Sequence, residues 1–276
     1  MTNKKINRCI FVILSILAIL FVLPVLIVLM NSFKGQFYIS TSPLTLPNQD
    51  TFVGFLNYKN GILKTDFLRA LVYSLWITIA STTLILFGTS MTAWFLIRWK
   101  SKWSKMIYYT LLFSMVVPFQ MVMFTMSKTA NVLYLENPIG IILLYLGFGA
   151  GLSTFLYSGF IKSIPISLEE AAEIDGCSPL RLFFSVVFPL LKPISTTVAV
   201  LNAMWIWNDY LLPYLVIGSR YKTIPIAVQY LQGGYGSRDM GALMAMLILA
   251  IIPIVLFYMF AQKYIIRGVI AGAVKE

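Results

Sequence analysis

The sequence of 276 residues contains no histidine, only two cysteines, and few charged residues, which make up 11% of the chain. Without histidine a His-dependent catalytic triad cannot form. Two cysteines with no CxxC spacing argue against a disulfide framework and against a zinc site. The GxxxxGK[ST] pattern of a phosphate-binding loop is also absent from the sequence. We therefore expect no catalytic residue, no metal site and no cofactor in this chain.

Long apolar runs are abundant, since hydrophobic residues make up 59% of the chain and the mean hydropathy is +0.84. A bilayer core of about 30 Å takes roughly 20 apolar residues per helical crossing. Runs near that length predict an all-α membrane protein with six transmembrane helices in a single domain, residues 1–276. The runs are Cys9–Leu29, Leu71–Ile97, Met106–Met126, Ile139–Ile161, Ile194–Ile217 and Met240–Ala261.

Charge placement predicts the orientation of these helices. The first run follows Lys4, Lys5 and Arg8 and is not followed by a small-residue cleavage site, which favours a retained span over a signal peptide. Lys and Arg are denser in the segments that lie inside when the N-terminus is cytoplasmic. We therefore expect both termini in the cytoplasm. The net charge of +11 lies at membrane boundaries and not in a basic domain, so no nucleic-acid partner is expected.

The segments outside the runs predict three loops and a tail, and the tail is either ordered or a frayed terminus. They are the outer loops 31–66 and 218–239, the cytoplasmic loop 163–192 and the cytoplasmic tail 262–276. Pro43 and Pro47 mark turns in the first outer loop, which we expect to form an ordered cap. The second has an apolar centre, IPIAVQYL, that is too short to span; it is re-entrant, rests on a partner, or folds onto its own helix ends. Trp94, Trp99 and Trp103 are placed as interfacial anchors.

The cytoplasmic loop concentrates acidic residues, namely Glu169, Glu170, Glu173 and Asp175. Ser167 with Glu170 three residues later is a capping-box pattern, and Gly176 suits a left-handed helix stop. Ser178 followed by Pro179 predicts the start of a second short helix. We expect an elbow of two short helices. Because a helix of about two turns is marginal alone, the elbow either docks into a partner or packs on its own bundle at the membrane surface.

Polar residues within the runs are candidates for the wall of a substrate path, because polar groups at membrane depth usually face a bundle interior or a cavity. The candidates are Asn202, Trp205, Asn208, Asp209 and Gln120. Gln120 follows Pro118, where a kink is predicted. The alternative for Asp209 is a structural role, in which its carboxylate is either solvated or paired with Arg220. A stripe of hydroxyl residues in the second run is predicted to serve helix packing. The stripe comprises Ser74, Thr78, Ser81, Thr82 and Thr89.

The acidic loop resembles the EAA loop of ATP-binding-cassette importer permeases. That pattern is Glu-Ala-Ala, three residues, Gly, nine residues, and then Ile-x-Leu-Pro. Matching positions here are Glu170, Ala171, Ala172, Gly176 and Pro189, whereas Val186 and Phe188 replace the Ile and Leu. The segments WNDYLLPYLV, KTIPIAVQYLQG and QKYIIRGVIAGAVKE extend the resemblance to the carbohydrate-uptake branch, and within it to maltose-type second permease subunits.

The resemblance implies half of the translocation path of a sugar importer, for an oligosaccharide or glycoside, in a bacterial or archaeal cytoplasmic membrane. The implied partners are a second homologous permease subunit, two ATP-binding subunits that hold ATP and Mg, an extracellular or periplasmic sugar-binding protein, and membrane lipid. The residues implied to couple to the ATPase are Glu169, Glu170, Ala171, Ala172, Asp175, Gly176 and Pro189. The tail residues Gly268, Gly272 and Lys275 are implied to reach the ATPase interface.

Other functions remain open at this point. The same architecture would serve another polar solute, such as a polyol, a glycerophosphodiester or an amino acid. An ion-coupled secondary transporter is the alternative from another class. The lack of histidine and the scarcity of intramembrane carboxylates disfavour a proton relay of the kind such a transporter uses.

Overall fold

The computed structural model describes residues 2–218, 220–232 and 238–273, and the regular elements along these ranges are helices. A low-charge, apolar chain favours helices in a bilayer because each helix satisfies its backbone polar groups internally. Residues 219 and 233–237 of the second outer loop, and Lys275 with the rest of 274–276 in the tail, lie outside the described residues.

The α-helices are numbered here along the chain. They are α1 (Thr2–Asn31), α2 (Gln36–Thr41), α3 (Leu56–Thr65), α4 (Phe67–Arg98), α5 (Lys102–Val116), α6 (Phe119–Val132), α7 (Gly140–Ile161), α8 (Ser167–Ile174), α9 (Pro179–Leu182), α10 (Phe188–Leu190), α11 (Lys192–Asn208), α12 (Leu211–Val216), α13 (Ile224–Tyr230) and α14 (Met240–Ala273). A π-helical turn, Phe183–Val187, joins α9 to α10.

Within the described residues, four helices are long and apolar enough to cross a membrane by themselves: α1, α4, α7 and α14. Two further pairs qualify only when each is taken as one bent span. The axes of α5 and α6 differ by 109°, and those of Pro179–Leu190 and α11 differ by 79°. The all-α membrane class is therefore confirmed, and the described residues contain four candidate spans, or up to six when each bent pair counts as one.

Two of the predicted apolar runs are broken helices. The run Met106–Met126 is interrupted between α5 and α6, where Val117 is extended (ψ 113°) and Pro118 precedes the first residue of α6. Proline lacks the N–H needed to continue a helix and pushes the preceding residue out of helical geometry. The run Ile194–Ile217 is interrupted at Asp209, whose backbone is extended (ψ 124°).

The chain divides into two compact units. The first contains residues 1–70 and 226–253, and the second contains residues 71–225 and 254–276. The core of the second unit is built from fully buried side chains of α4, α7 and α11, such as Ile85, Tyr145, Tyr157 and Val198. Most apolar side chains of α1 are exposed, as expected for a lipid-facing helix.

In the first unit, the loop 31–66 is folded around buried polar groups, which agrees with the expected ordered cap. The amide of Asn57 donates to the carbonyl oxygens of Ser32 (2.9 Å) and Lys34 (2.8 Å). Lys64 pairs with Asp239 at 2.6 Å. Burial alone would raise the pKa of the Asp239 carboxyl, but hydrogen bonds from the backbone of Ala242 and from Lys64 hold that pKa below its ordinary value.

The apolar centre of the second outer loop forms α13. Its side chains at Ile226, Ala227 and Val228 are buried within the chain, as is Leu231 just beyond the helix. This burial agrees with folding onto the chain itself, whereas re-entry into the membrane and contact with a partner stay predictions.

Candidate functional site

The elbow, defined here as residues 167–190, bends at Gly176. Helix α8 ends there in a pair of backbone hydrogen bonds, from Cys177 N–H to the Ala172 carbonyl (3.0 Å) and from Gly176 N–H to the Glu173 carbonyl (2.9 Å). This is the Schellman arrangement, which requires a left-handed residue after the helix. Gly176 has φ +81°, so the predicted left-handed stop is confirmed.

The predicted caps of the two elbow helices differ from the structure. Ser167 is the first residue of α8 and not its cap, because Ile166 already has helical dihedrals (φ −64°, ψ −27°) and makes no side-chain capping bond. The capping-box prediction for Ser167 and Glu170 is therefore wrong. Ser178 does occupy the cap position of α9 with Pro179 following it, but it makes no side-chain capping bond.

The Glu169 carboxylate accepts three hydrogen bonds from side chains of α4. Its side chain is only 5% exposed. Oε1 accepts hydrogen bonds from Arg98 Nε (2.9 Å) and Nη2 (2.6 Å), and Oε2 accepts one from Trp94 Nε1 (2.8 Å). Arg98 Nη2 also donates to the Ile164 carbonyl (3.2 Å), which lies on the chain entering the elbow. Charge-assisted bonds of this kind are among the strongest in proteins.

The partners of Glu169 were not found from the sequence. Trp94 was predicted to be an interfacial anchor, and that prediction did not include the hydrogen bond from its indole N–H to the Glu169 carboxylate. Trp99 and Trp103 are 63% and 70% exposed, as an interfacial position requires. The sequence did contain a signal for these contacts, because Glu169 and Glu170 are adjacent and neighbouring helix positions point in different directions. The two acids therefore cannot both face the same partner.

The predicted coupling residues divide by exposure. Glu169 and Ala172 are buried against the chain's own helices. The other predicted coupling residues are exposed, namely Glu170, Ala171, Asp175, Gly176 and Pro189. Beside them, Ile174 is 86% exposed. Contact of these residues with another subunit stays a prediction.

The second half of the elbow packs on α4 through aromatic rings. Phe183 in the π-helical turn is fully buried and contacts Trp94, with 5.4 Å between ring centroids. Phe188 stacks on Phe87 at 5.0 Å. Phe87, Trp94 and Arg98 recur at helical spacing and so lie along one face of α4. Both halves of the elbow are thus held by the same face of one helix.

Polar residues of α11 contact α7 through buried hydrogen bonds. Asn202 is 4% exposed, and its amide donates to Ser153 Oγ at 3.0 Å. Trp205 is 41% exposed and sets its ring against Tyr145, at a centroid distance of 5.4 Å and an interplanar angle of 89°. Of this pair, Trp205 alone presents a free ring surface, whereas Asn202 holds two helices together.

Asp209 has a structural role at the end of α11. Its Oδ2 accepts a hydrogen bond from the Tyr145 hydroxyl (3.0 Å), and its Oδ1 accepts one from the backbone N–H of Leu211 (3.0 Å). The alternative pairing with Arg220 is wrong, because the Arg220 guanidinium lies over the Tyr221 ring instead, 5.3 Å from its centroid. The carboxylate therefore caps α12 and ties it to α7.

The remaining path candidates are exposed. The Asn208 amide donates to the Met204 carbonyl of its own helix at 2.7 Å. Gln120 lies in the first turn of α6, directly after the break at Pro118. The hydroxyl stripe of α4 is buried as predicted for helix packing, and Ser74 Oγ accepts a hydrogen bond from Ile224 N–H at 2.8 Å.

Comparison with known proteins places this chain in a family. Residues 84–271 match the family described as "Binding-protein-dependent transport system inner membrane component". The match covers more than half of the chain. The chain therefore belongs to the family of inner membrane components of binding-protein-dependent transport systems.

Named relatives align with nearly the whole chain. It is 41% identical over 264 residues to the "Probable starch degradation products transport system permease protein AmyC" of Thermoanaerobacterium thermosulfurigenes, covering 95% of this chain and 94% of that protein. It is 35% identical over 277 residues to the "Multiple sugar-binding transport system permease protein MsmG" of Streptococcus mutans serotype c, covering 96% of each.

Solved structures share the fold. A chain of a bacterial ABC transporter involved in the import of the acidic polysaccharide alginate superposes with a TM-score of 0.78 at 21% identity. The alignment covers 96% of this chain and 98% of that one. At this identity the likeness concerns the fold alone.

Proposed function

We propose that this chain is a permease subunit of an ATP-driven importer of an oligosaccharide or related glycoside, and that it forms half of the translocation path. The observation that carries the proposal is the exposed side of the elbow. There, Ile174 is 86% exposed and Leu180 is 62% exposed, and Ile174 lies one helical turn after exposed Glu170 and directly before exposed Asp175. Apolar side chains grouped at a polar rim are typical of protein interaction sites.

The partner for this surface is a cytoplasmic ATP-binding subunit, which supplies the ATP and Mg that this chain has no motif to hold. A cleft with an apolar floor and basic rim fits Ile174 between the two carboxylates. Two such subunits, a second homologous permease and an extracellular or periplasmic sugar-binding protein complete the importer. Both termini of this chain and the elbow face the cytoplasm, in agreement with the Lys and Arg distribution.

The sugar assignment rests on the relatives, whose names refer to starch degradation products and to multiple sugars. The free ring surface of Trp205 suits it, because aromatic rings present a flat apolar face with which the apolar face of a sugar ring can stack. Asn208 and Gln120, both exposed, supply hydrogen-bonding groups for hydroxyls. Replacing Trp205 by Ala should change sugar preference in reconstituted uptake, whereas unchanged preference would remove Trp205 from the path.

The test of the importer is purification of this chain from its native host in mild detergent, followed by mass spectrometry of the retained subunits. Wild type should retain an ATP-binding subunit, a second permease and a sugar-binding protein. Ile174→Ser should lose the ATP-binding subunit, because the apolar contact is removed. Leu46→Ser is the matched control, since Leu46 is also highly exposed (78%) but belongs to the loop 31–66 and not to the elbow.

Two results would contradict this proposal. Retention of the ATP-binding subunit by Ile174→Ser at the wild-type level would show that the elbow is not the docking surface. Recovery of wild-type chain alone, still competent for sugar uptake after reconstitution and driven by an ion gradient, would instead establish a secondary transporter.

A further inference from the structure

The elbow carries two neighbouring acids that point in different directions. Glu170 is exposed and lies on the side proposed to meet the ATP-binding subunit. Glu169 is 5% exposed and points into the chain's own helices. A carboxylate buried to this degree is costly unless it is fully paired. The pairing with Arg98 and Trp94 therefore has to be intact whenever the elbow is docked.

The contacts of Glu169 join three parts of the chain. The Arg98 guanidinium donates to Glu169 from Nε and Nη2, and Nη2 also donates to the Ile164 carbonyl. Arg98 therefore holds both α8 and the segment that leads into it. Trp94 donates to the same carboxylate and packs against Phe183 from the second half of the elbow. Removing the carboxylate would leave donors of Arg98 and Trp94 unpaired, which costs more than the bonds contribute.

From this geometry we infer that Glu169 is a positioning residue that fixes the elbow to α4 and does not itself contact the ATP-binding subunit. The inference rests on the proposed function. When the ATP-binding subunit displaces the elbow, α4 moves with it, because the anchor and the Phe87 and Trp94 contacts all lie on one face of that helix. Helix α4 is thus the span through which the displacement enters the membrane.

The test measures coupling in the whole complex, reconstituted into proteoliposomes with its binding protein and a malto-oligosaccharide. The readout is sugar moved per ATP hydrolysed. Glu169→Gln should assemble with the ATP-binding subunit and hydrolyse ATP, but this ratio should fall below the wild-type value, since loss of the charge-assisted bonds lowers the equilibrium constant for the anchored elbow by about tenfold. The matched control is Glu173→Gln, which removes an equal charge from an exposed position of the same helix.

A second variant on α4 tests the pair. Arg98→Gln should lower the ratio as Glu169→Gln does, and the double variant should be no worse than either, because residues that act through one contact are not additive. Trp94→Phe keeps the ring packing on Phe183 and removes one hydrogen bond, so it should give a smaller loss and stays informative if the other variants fail to fold.

The inference is overturned by any of three results. A wild-type ratio in Glu169→Gln or in Trp94→Phe would show that the anchor does not transmit motion. Loss of the ATP-binding subunit in Glu169→Gln but not in Arg98→Gln would show that Glu169 touches that subunit directly. If wild type itself retains no ATP-binding subunit, the proposed function fails first, and purification reveals this before coupling is measured.

Discussion

Replacing Gly151 by alanine should destabilise the protein, although alanine is the better helix former. Gly151 is buried in α7, where an added Cβ would lie 2.6 Å from the Leu111 carbonyl oxygen and 2.7 Å from both Met115 Cγ and Ser114 Oγ. Real Cβ atoms do not approach neighbours this closely. A backbone oxygen cannot swing aside, so α5 and α7 would have to separate.

The magnitude follows from two opposing terms. Alanine in place of glycine favours a helix interior by about 0.8–1.0 kcal/mol. Overpacking a tight contact costs about 1–3 kcal/mol, and the rigid Leu111 carbonyl places this site toward the upper end of that range. Gly151→Ala should therefore lose up to about 2 kcal/mol net. For a chain of this size, that lowers the midpoint of thermal unfolding by several degrees, at about 2–4 °C per kcal/mol.

Helix α7 offers its own controls. An added Cβ at Gly147 or Gly159 meets nothing within 4 Å, so alanine at either position should raise the midpoint through helix propensity alone. The assay is thermal unfolding of each detergent-purified variant, followed by tryptophan fluorescence. A Gly151→Ala midpoint equal to or above that of Gly147→Ala would refute the close approach of α5 to α7.

Three further predictions concern single residues. Gly176→Val should insert and assemble but lose sugar uptake, because φ +81° costs a β-branched residue at least about 1–2 kcal/mol. Gly176→Asn should keep most uptake, because asparagine tolerates this conformation. Wild-type uptake by the valine variant would contradict the left-handed bend of the elbow. Tyr145→Phe removes the bond to Asp209 and should cost about 1 kcal/mol in detergent unfolding, and no change would contradict the 3.0 Å contact. Asp239 has a depressed pKa, so its contribution to stability is complete above the unfolded pKa of about 3.9 and is lost as the pH falls through the lower folded pKa. Below about pH 4 the midpoint of thermal unfolding should therefore fall more steeply for wild type than for Asp239→Asn. Parallel pH profiles of the two proteins would count against the Lys64 contact.

The helical class and the positions of the apolar runs could be predicted because they depend on composition over about 20 residues. The breaks within two of these runs were harder to predict from the sequence. Pro118 signals its own break, but the 109° between α5 and α6 depends on packing that no local pattern records. The break at Asp209 had a local signal that was missed: an acid whose side chain accepts the N–H groups of Leu211 and Leu212 is a helix cap.

The elbow shows the same division between local and distant causes. Gly176 could be predicted because the left-handed stop involves only residues next to it. The capping-box prediction failed because Ser167 is the first residue of α8, and Ile166 before it occupies the cap position. Glu169 was assigned to a partner subunit along with the rest of the motif. Its contacts within the chain, with Arg98 and Trp94, could not be predicted because those residues lie about 70 positions earlier in the sequence, on another helix.

Gly176 lies between two halves of the elbow that are held by the same helix. On one side Glu169 binds Arg98 and Trp94, and on the other Phe183 packs against Trp94. A glycine between two anchored segments cannot act as a free hinge, because opening the bend would pull one anchor from α4. Its left-handed conformation therefore sets a fixed angle. If the proposed ATP-binding subunit docks at Ile174, we expect its force to reach α4 as a rigid-body displacement, which a flexible elbow would absorb.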